Sequence, residues 1–154
     1  MANVVMKGSD VLSAKKAECL ITIGDRRYNF GQMIDFEAPI EKNKVVVPIL
    51  GKVMDSHKTI SMSGTFSGTM HYNQSVLRQL TIDYKNTGID TYFEIQITNE
   101  DPETSLGRQT IILKDANLDG ITLAKFDADG EYLDEDVEGT FEDFVMPESF
   151  AQLL

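Results

Sequence analysis

Residues 61–80 have the sequence SMSGTFSGTMHYNQSVLRQL, in which a run of small polar residues with alternate apolar positions passes directly into a helical pattern. The apolar residues of the wider run 58–70 recur at even spacing: Ile60, Met62, Phe66 and Met70. This spacing is typical of a strand with one buried face. Gly64 and Gly68 stand inside the run and indicate bulges or bends. We therefore predict one long strand that leads into a helix.

The predicted helix begins near Asn73, whose side chain can cap a helix N-terminus. Four apolar residues then recur within an arc of about 100°, enough to bury one face on a sheet: Val76, Leu77, Leu80 and Tyr84. The run ends at residues 86–88, Asn-Thr-Gly, which is a typical C-terminal signal. Ile82 lies nearly opposite the stripe, between Arg78 and Lys85, so we predict an outward surface there.

Strand patterns flank this unit on both sides. Residues 17–23 are rich in β-forming residues, and with residues 27–30 they predict a hairpin around Gly24-Asp25. After the helix, four further strands are predicted, with a turn at residues 117–120; they are 91–98, 107–114, 118–126 and 132–145. The predicted fold class is therefore mainly β, a β-rich α+β domain with one helix, and residues 1–154 form a single domain.

Two segments lack such a pattern. Residues 31–52 contain two glycines and two prolines and predict a long loop of about twenty residues, with at most one strand at 44–47. Loops of this length in a compact domain usually carry function. Residues 1–14 are polar and unpatterned, which predicts a flexible arm.

The chain has 154 residues and a formal net charge of −11, and this length suits one domain with its own core. Residues 1–77 carry a net charge of +2, whereas residues 78–154 carry −13. Affinity for nucleic acid comes from Lys and Arg contacts with phosphate, so this composition argues against tight DNA or RNA binding. Residues 127–148 hold ten acids and no Lys or Arg, and a solvated acidic surface is the simplest interpretation.

No apolar run approaches the twenty residues of a membrane helix, and the first residues lack the apolar core of a secretory signal. We therefore expect a protein that has no membrane anchor and folds in the cytosol. The single cysteine, Cys19, cannot form an internal disulfide, and its alternate strand position suggests a buried thiol.

Two segments resemble calcium loops in part. Residues 115–120 match D-x-N-x-D-G, but the twelfth position is Phe126 instead of a bidentate Glu, so a β-turn is the better interpretation. Residues 127–138 supply acids at several ligand positions, but their glycine is at the fourth position instead of the sixth. Weak cation binding by this second segment remains open.

Catalytic patterns are scarce. His57 and His71 lie fourteen residues apart, and neither a G-x-S-x-G elbow nor a phosphate-binding Walker loop is present. One cysteine and two histidines cannot supply a zinc site with the usual spacing. We expect a protein that is not an enzyme and that needs no cofactor.

The order and spacing of these features resemble those of the tail tube proteins of contractile-tailed bacteriophages, in the branch of defective prophages and phage-tail-like bacteriocins. The similarity extends over residues 14–146. It is carried by the hairpin of residues 19–30, the loop that ends at Pro48-Ile-Leu-Gly51, the T-M-H-Y-N entry to the helix, and the E-G-T-F-E-D-F-V run at 138–145.

The resemblance implies a small barrel or sandwich of two packed antiparallel sheets with one flanking helix. It also implies that six copies form a ring and that rings stack into the inner tube of a virion tail, assembled in the bacterial host cytoplasm. DNA would pass through this tube without tight binding. The implied partners are other copies of the chain, the tail sheath protein, the baseplate initiator and the tape-measure protein.

The resemblance assigns residues 37–51 to an inter-ring loop, with anchors at Val45, Val46, Val47, Ile49 and Leu50. An alternative is that these side chains cover the core of their own domain. Residues 4–12 would form a contact arm that includes Val4, Val5 and Leu12. The helix would face the sheath through Arg78, Ile82 and Lys85. Part of the acidity would face the lumen, with the candidates Asp127, Asp129 and Glu131.

Two other classes stay open at this point. One is a β-barrel binding module that holds a ligand or cation near the acidic second half, which saturable calcium binding would favour. The other is a related component built on the same fold, such as a baseplate ring protein or the tube of a secretion apparatus. Hollow rings or tubes with sixfold symmetry would favour assembly over the binding module.

Overall fold

A long strand and a helix form the unit that residues 61–80 predict. The computed structural model describes residues 7–13, 15–29 and 33–151. The elements in chain order are a 3-10 turn (Gly8–Asp10), β1 (Ala17–Ile23), β2 (Arg26–Asn29), β3 (Met33–Glu37), β4 (Ile40–Val47), β5 (Ser56–His71), α1 (Val76–Thr87), β6 (Phe93–Glu100), β7 (Arg108–Ile121), β8 (Asp134–Phe141) and β9 (Asp143–Glu148). The predicted long strand is β5, and the predicted helix is α1.

The strands join into one curled sheet in the order β2-β1-β6-β7-β8-β5-β3, with β4 paired to β5 and β9 paired to β7. Every pair is antiparallel. β7 is shared by two halves, because it pairs with β6 along one edge and with β9 and β8 along the other. The predicted class, mainly β with two packed antiparallel sheets and one helix, is confirmed, and the two sheets are joined through β7.

The turn predicted at residues 117–120 is wrong, because β7 runs through it as one strand of 14 residues. β7 has two register shifts, one against β6 between Leu113 and Ala116 and one against β8 that leaves Asp119 as the extra residue. Asp115 has a φ of 53°, which Asp tolerates better than most residues. Bulges of this kind bend a strand. They let β7 pass from one half of the sheet to the other, and the calcium-like motif lies inside the strand.

The long loop predicted at residues 31–52 is also wrong over most of its length, since it contains both β3 and β4. The alternation that marks a half-buried strand is missing from β4, because seven of its eight residues are exposed and neither face selects apolar side chains. Pro39 separates the two strands. The irregular part that remains is the turn of residues 48–55 between β4 and β5.

Other predicted strands agree with the structure apart from their ends. β1 and β2 form the predicted hairpin, although Phe30 lies outside the described residues. The strand predicted at 132–145 is divided at Glu142 into β8, which pairs with β5 and β7, and β9, which pairs with β7. This division creates a fork between β9 and the first half of β5.

The glycines of β5 mark close contacts instead of the predicted bulges. A Cβ atom at Gly68 would lie 2.7 Å from the backbone oxygen of Asp35, so a side chain there would push β3 away. The register shift of β5 against β4 occurs elsewhere, between the pairs of Ser61 and Thr59, and leaves Ile60 as the extra residue.

The core lies between the two halves of the sheet and the helix. Its buried apolar residues are Cys19, Ile21, Phe66, Met70, Leu77, Phe93, Ile95, Leu113, Ala116, Val137 and Phe141. The ring of Phe66 lies 6.0 Å from that of Phe36 and 6.4 Å from that of Phe93, so aromatic contacts connect the halves.

Helix α1 packs on the sheet through Leu77, while Tyr84 of the predicted stripe is exposed. The predicted cap at Asn73 is wrong: the N-cap residue is Ser75, and the Gln74 side chain accepts a hydrogen bond from the Leu77 N–H at 3.2 Å. The predicted end is confirmed, since Gly88 adopts a left-handed φ of 73°. Within the described residues, no helix has the length and hydropathy to cross a membrane.

Candidate functional site

β4 and the first half of β5 project from the sheet as a two-stranded ribbon, residues 40–63, which includes the turn 48–55. β8 pairs with β5 only over residues 64–71, and β3 pairs with it over 67–70. Among the described residues, β4 is therefore the sole partner of β5 over 56–63. Both outer edges of the ribbon present unpaired backbone groups, which can pair with another chain.

The ribbon also concentrates exposed apolar side chains. Of the five predicted anchors, Leu50 is fully exposed and Val47 is half-buried, and the other three are exposed: Val45, Val46 and Ile49. The alternative that these residues cover the core of their own domain is therefore wrong. Five further exposed apolar residues of the ribbon lie outside the predicted set, namely Ile40, Val53, Met54, Ile60 and Met62. Val53 and Met54 continue the same apolar turn beyond the predicted boundary at residue 51.

Four lysines accompany these apolar residues on the ribbon: Lys42, Lys44, Lys52 and Lys58. All four are exposed, and the acids of residues 40–63 are Glu41 and Asp55. Lys52 donates a hydrogen bond to the hydroxyl of Ser56 at 2.7 Å. The ion pairs formed among the described residues involve none of the four. The ribbon therefore presents an apolar surface with excess positive charge.

One face of β3, β4, β5 and β8 points away from the core and forms a second surface, here called the polar face. Cross-strand partners share a face, and the register aligns Ser67 with Glu37 and Glu138. Thr69 lies opposite Asp136 and donates a hydrogen bond to its carboxylate at 3.1 Å. Over residues 61–69 of β5 the aligned positions of this face are Asp35, Glu37, Glu41, Asn43, Ser61, Ser63, Thr65, Ser67, Thr69, Asp136, Glu138 and Thr140. These twelve positions include five acids and no Lys, Arg or bulky apolar residue.

The loop between β7 and β8, residues 122–133, forms a third surface at the end of β5 that lies away from the ribbon turn. The Tyr72 N–H donates a hydrogen bond to the Leu133 carbonyl oxygen at 3.1 Å. The ring of Tyr132 lies 5.6 Å from that of His71, the last residue of β5. These contacts hold the loop beside the start of α1.

Exposed apolar and acidic side chains alternate along loop 122–133. Phe126 is 89% exposed, and Leu123 and Tyr132 are also largely exposed. The three predicted acids, Asp127, Asp129 and Glu131, lie together in this loop and are exposed. The Asp127 carboxylate accepts a hydrogen bond from the Asp129 N–H at 3.1 Å, which shapes the turn.

Arg78 is not on the outward surface that the sequence predicts. Its side chain is only 12% exposed, and its guanidinium pairs with the fully buried carboxylate of Glu135 at 2.5 Å. It also donates to the Gln74 carbonyl oxygen and lies 4.2 Å from the ring centre of Tyr72. Position 78 adjoins the buried stripe, so the long side chain reaches back to β8. Burial of such a charge requires its partner.

The other two predicted sheath-facing residues, Ile82 and Lys85, are exposed on α1. Of the predicted contact arm, Val4 and Val5 lie outside the described residues, and Leu12 is half-buried. The Ser13 N–H donates a hydrogen bond to the buried Asp101 carboxylate at 3.0 Å. This bond ties the start of the domain to the turn between β6 and β7.

Groups with reactive chemistry are far apart. Among the described residues, no group of three or more His, Cys, Asp or Glu could hold a metal ion. His57 and His71 lie near opposite ends of β5, so they cannot act on one small substrate. Burial raises the pKa of the Cys19 thiol to about 12, which keeps it protonated at neutral pH.

A groove of about 510 Å³ lies at the fork between β5 and β9. Its apolar lining comes from Ile40, Met62, Phe141 and Phe144. The groove is open to solvent and adjoins the unpaired edge of the ribbon. Its position therefore links it to the ribbon surface.

The chain matches known proteins both in sequence and in fold. Residues 4–148 match the family model described as phage tail tube protein. A curated relative is the phage-like element PBSX protein XkdM of Bacillus subtilis (strain 168), which is 40% identical over 116 residues. That alignment covers 75% of this chain and 79% of the relative.

Solved structures share the fold at low sequence identity. A chain of the anti-feeding prophage tube-terminating cap has a TM-score of 0.68 and 10% identity, and the match covers 96% of each chain. A chain of the sheath-tube complex of the PVC extracellular contractile injection system, in the extended state, has a TM-score of 0.59 and 12% identity. This second match covers 85% of the present chain and 88% of the other.

Proposed function

This chain belongs to the phage tail tube protein family, and from that membership we propose that six copies form a ring and that rings stack into the inner tube of a contractile tail or tail-like particle. A tail tube protein is a structural component, and nothing in its role requires catalysis. In this assembly each copy is a single tail tube domain. Assembly takes place in the cytoplasm of the bacterial host.

The observation that carries this proposal is the ribbon, whose two open edges and exposed apolar residues have no use in a single chain. An exposed strand edge is a liability for aggregation unless another chain covers it. A closed ring removes such edges, because each copy offers its edge to the next. The ribbon anchors then pack against neighbouring copies, and residues 4–12 add a second contact.

The polar face supports a position on the wall of the central channel. Its small hydroxyl side chains leave a smooth surface, and its five acids repel phosphate. DNA therefore slides through such a channel without being held, because tight binding would need Lys or Arg at the wall. Two of these acids, Asp136 and Glu138, come from the acidic second half of the chain.

The outer wall of the tube is formed in part by α1, with Ile82 and Lys85 facing the sheath protein. The buried Arg78 does not take part in that contact but holds α1 against β8. A baseplate component starts the tube, and a tape-measure protein inside it sets the length. These partners follow from the role of an inner tube that a sheath surrounds.

Electron microscopy of the purified protein, concentrated in the presence of polyethylene glycol, tests the proposal. We expect hollow rings and stacked tubes with sixfold symmetry. Leu50→Asp places a charge at the fully exposed ribbon turn and should prevent the stacking of rings into tubes while the circular dichroism spectrum stays unchanged. Ile89→Asp is the matched control, because Ile89 is 71% exposed but lies after α1, and it should still assemble. A wild-type protein that remains monomeric, or Leu50→Asp tubes like those of the wild type, would contradict the proposal.

A further inference from the structure

The ribbon turn and loop 122–133 lie at opposite ends of the molecule. Both adjoin β5, which has 16 residues and is therefore about 50 Å long. The ribbon turn precedes its first residue, Ser56, and loop 122–133 contacts its last residue, His71. The two surfaces therefore cannot meet within one chain, but they can meet between two copies aligned along the strand direction.

The two ends carry opposite charge. The ribbon, residues 40–63, holds four Lys and two acids, whereas loop 122–133 holds three acids and Lys125. Lys125 is already engaged, since its ammonium group lies 3.3 Å from the Asp134 carboxylate. The acids Asp127, Asp129 and Glu131 form no ion pair with another described residue. Each end thus presents charge that the other can neutralise.

Both ends also present apolar side chains that their own chain leaves exposed. Leu50 and Val53 are fully exposed in the ribbon turn. Phe126, Leu123 and Tyr132 are exposed in the loop. Apolar surface with a charged rim is the usual composition of a contact between proteins.

We propose that the ribbon turn of one copy docks on loop 122–133 of a copy in the next ring, with the lysines of the first facing the acids of the second. This inference rests on the proposed function, and it names the acceptor of the ribbon. Because the two surfaces differ and lie at opposite ends, the contact is head-to-tail and does not close on itself. Repetition of such a contact along one direction produces a stack. The acids of loop 122–133 then belong to the contact between rings, and the acids of the polar face remain for the lumen.

Charge reversal tests the pairing. Lys44→Glu with Lys52→Glu makes the ribbon acidic, and Asp127→Lys with Asp129→Lys makes the loop basic. Each pair of substitutions alone should reduce the mass of sedimented tubes at least tenfold, while single rings persist on size exclusion. All four substitutions in one chain should restore stacking, because the charges are exchanged. Arg26→Glu with Arg27→Glu is the matched control, because both side chains are exposed on β2 outside the two surfaces, and it should leave stacking unchanged.

A cross-link gives an independent measurement. A chain with Val53→Cys and Phe126→Cys should form a ladder of disulfide-linked multimers when tubes are oxidised. The two positions lie too far apart for a bond within one chain, and the buried native Cys19 does not react. A chain with Val53→Cys and Ile89→Cys should give no ladder.

The outcomes separate this inference from the proposed function. The pairing would be overturned if the wild type forms tubes but the chain with all four substitutions does not stack. That result would leave the tube proposal intact. The pairing would also be overturned if either variant with two substitutions failed to form rings, because the contact would then lie within a ring. A wild-type protein that forms neither rings nor tubes would overturn both proposals.

Discussion

Removal of the Glu135 carboxylate should destabilise the fold by about 3–5 kcal/mol, because it leaves a buried guanidinium without its counter-charge. In the native protein Arg78 is 12% exposed and pairs with Glu135 at 2.5 Å. The same carboxylate accepts a hydrogen bond from the Gln74 amide at 3.0 Å, which would also be lost. Domains of this kind have total stabilities of roughly 5–15 kcal/mol. Glu135→Ala should therefore lower the unfolding temperature by roughly 10 °C.

Urea unfolding followed by circular dichroism measures the free energy of unfolding of each variant. The double variant Arg78→Met with Glu135→Leu removes both charges and keeps most of the volume, so it should be much closer to the wild type than Glu135→Ala. Glu148→Ala is a second control. It breaks the exposed pair with Arg108, which has the same 2.5 Å distance but half-exposed side chains, and should shift the urea midpoint far less.

Two results would refute this reasoning. A loss of less than about 1 kcal/mol for Glu135→Ala would show that solvent or another group replaces the partner of Arg78. A double variant as unstable as the single one would show that packing, instead of the unpaired charge, accounts for the cost.

Three further predictions concern other parts of the chain. Gly139→Ala should unfold the protein or sharply lower its solubility, because the new Cβ would lie 2.1 Å from a β7 carbonyl oxygen and 2.6 Å from the Phe66 ring. Gly120→Ala should be tolerated, because a Cβ there has no atom within 4 Å. Equal thermal stability of the two variants would refute this prediction. Because burial raises the pKa of Cys19 to about 12 from 9.0, native protein at pH 8 should react with iodoacetamide about a thousandfold more slowly than protein in urea, and similar rates would contradict the burial. Glu138→Lys should make assembled tubes retain a fluorescent oligonucleotide on sedimentation, whereas wild-type tubes exclude it; equal retention would count against a lumenal polar face.

The sequence predicts those elements in which one face is buried. The second half of β5, α1 and the β1–β2 hairpin each have a regular apolar period, because their inner side chains pack in the core. The helix end at Gly88 is also predictable, since its left-handed backbone favours glycine. β4 has no period to detect, because both of its faces lie outside the core.

Other differences arise where tertiary pairing overrides local signals. Residues 117–120 have turn-forming composition, but β8 pairs with Asn117, Leu118 and Gly120, and a bulge takes up Asp119. Arg78 illustrates the same limit for the site. Its helical position indicates an exposed side chain, and only the three-dimensional fold brings Glu135 close enough to bury it.

The five ribbon anchors are predicted from the family resemblance, since the apolar run alone leaves open that these side chains cover the core of their own domain. The polar face is not predictable from the sequence. Its twelve residues come from four separate strands, and each strand contributes only alternate positions. Their common character becomes visible when the register is known, since no single segment contains enough of them to form a motif.

The length of β5 has a mechanical consequence for a stacked assembly. Tension applied between the ribbon turn and loop 122–133 would run along the backbone of this one strand. The hydrogen bonds to β4, β3 and β8 lie across that direction, so the load would act on them in shear and they would have to break together. A subunit pulled in this way resists extension far more than one whose strands are peeled apart bond by bond. A tube made of such subunits would therefore resist being pulled apart along its axis.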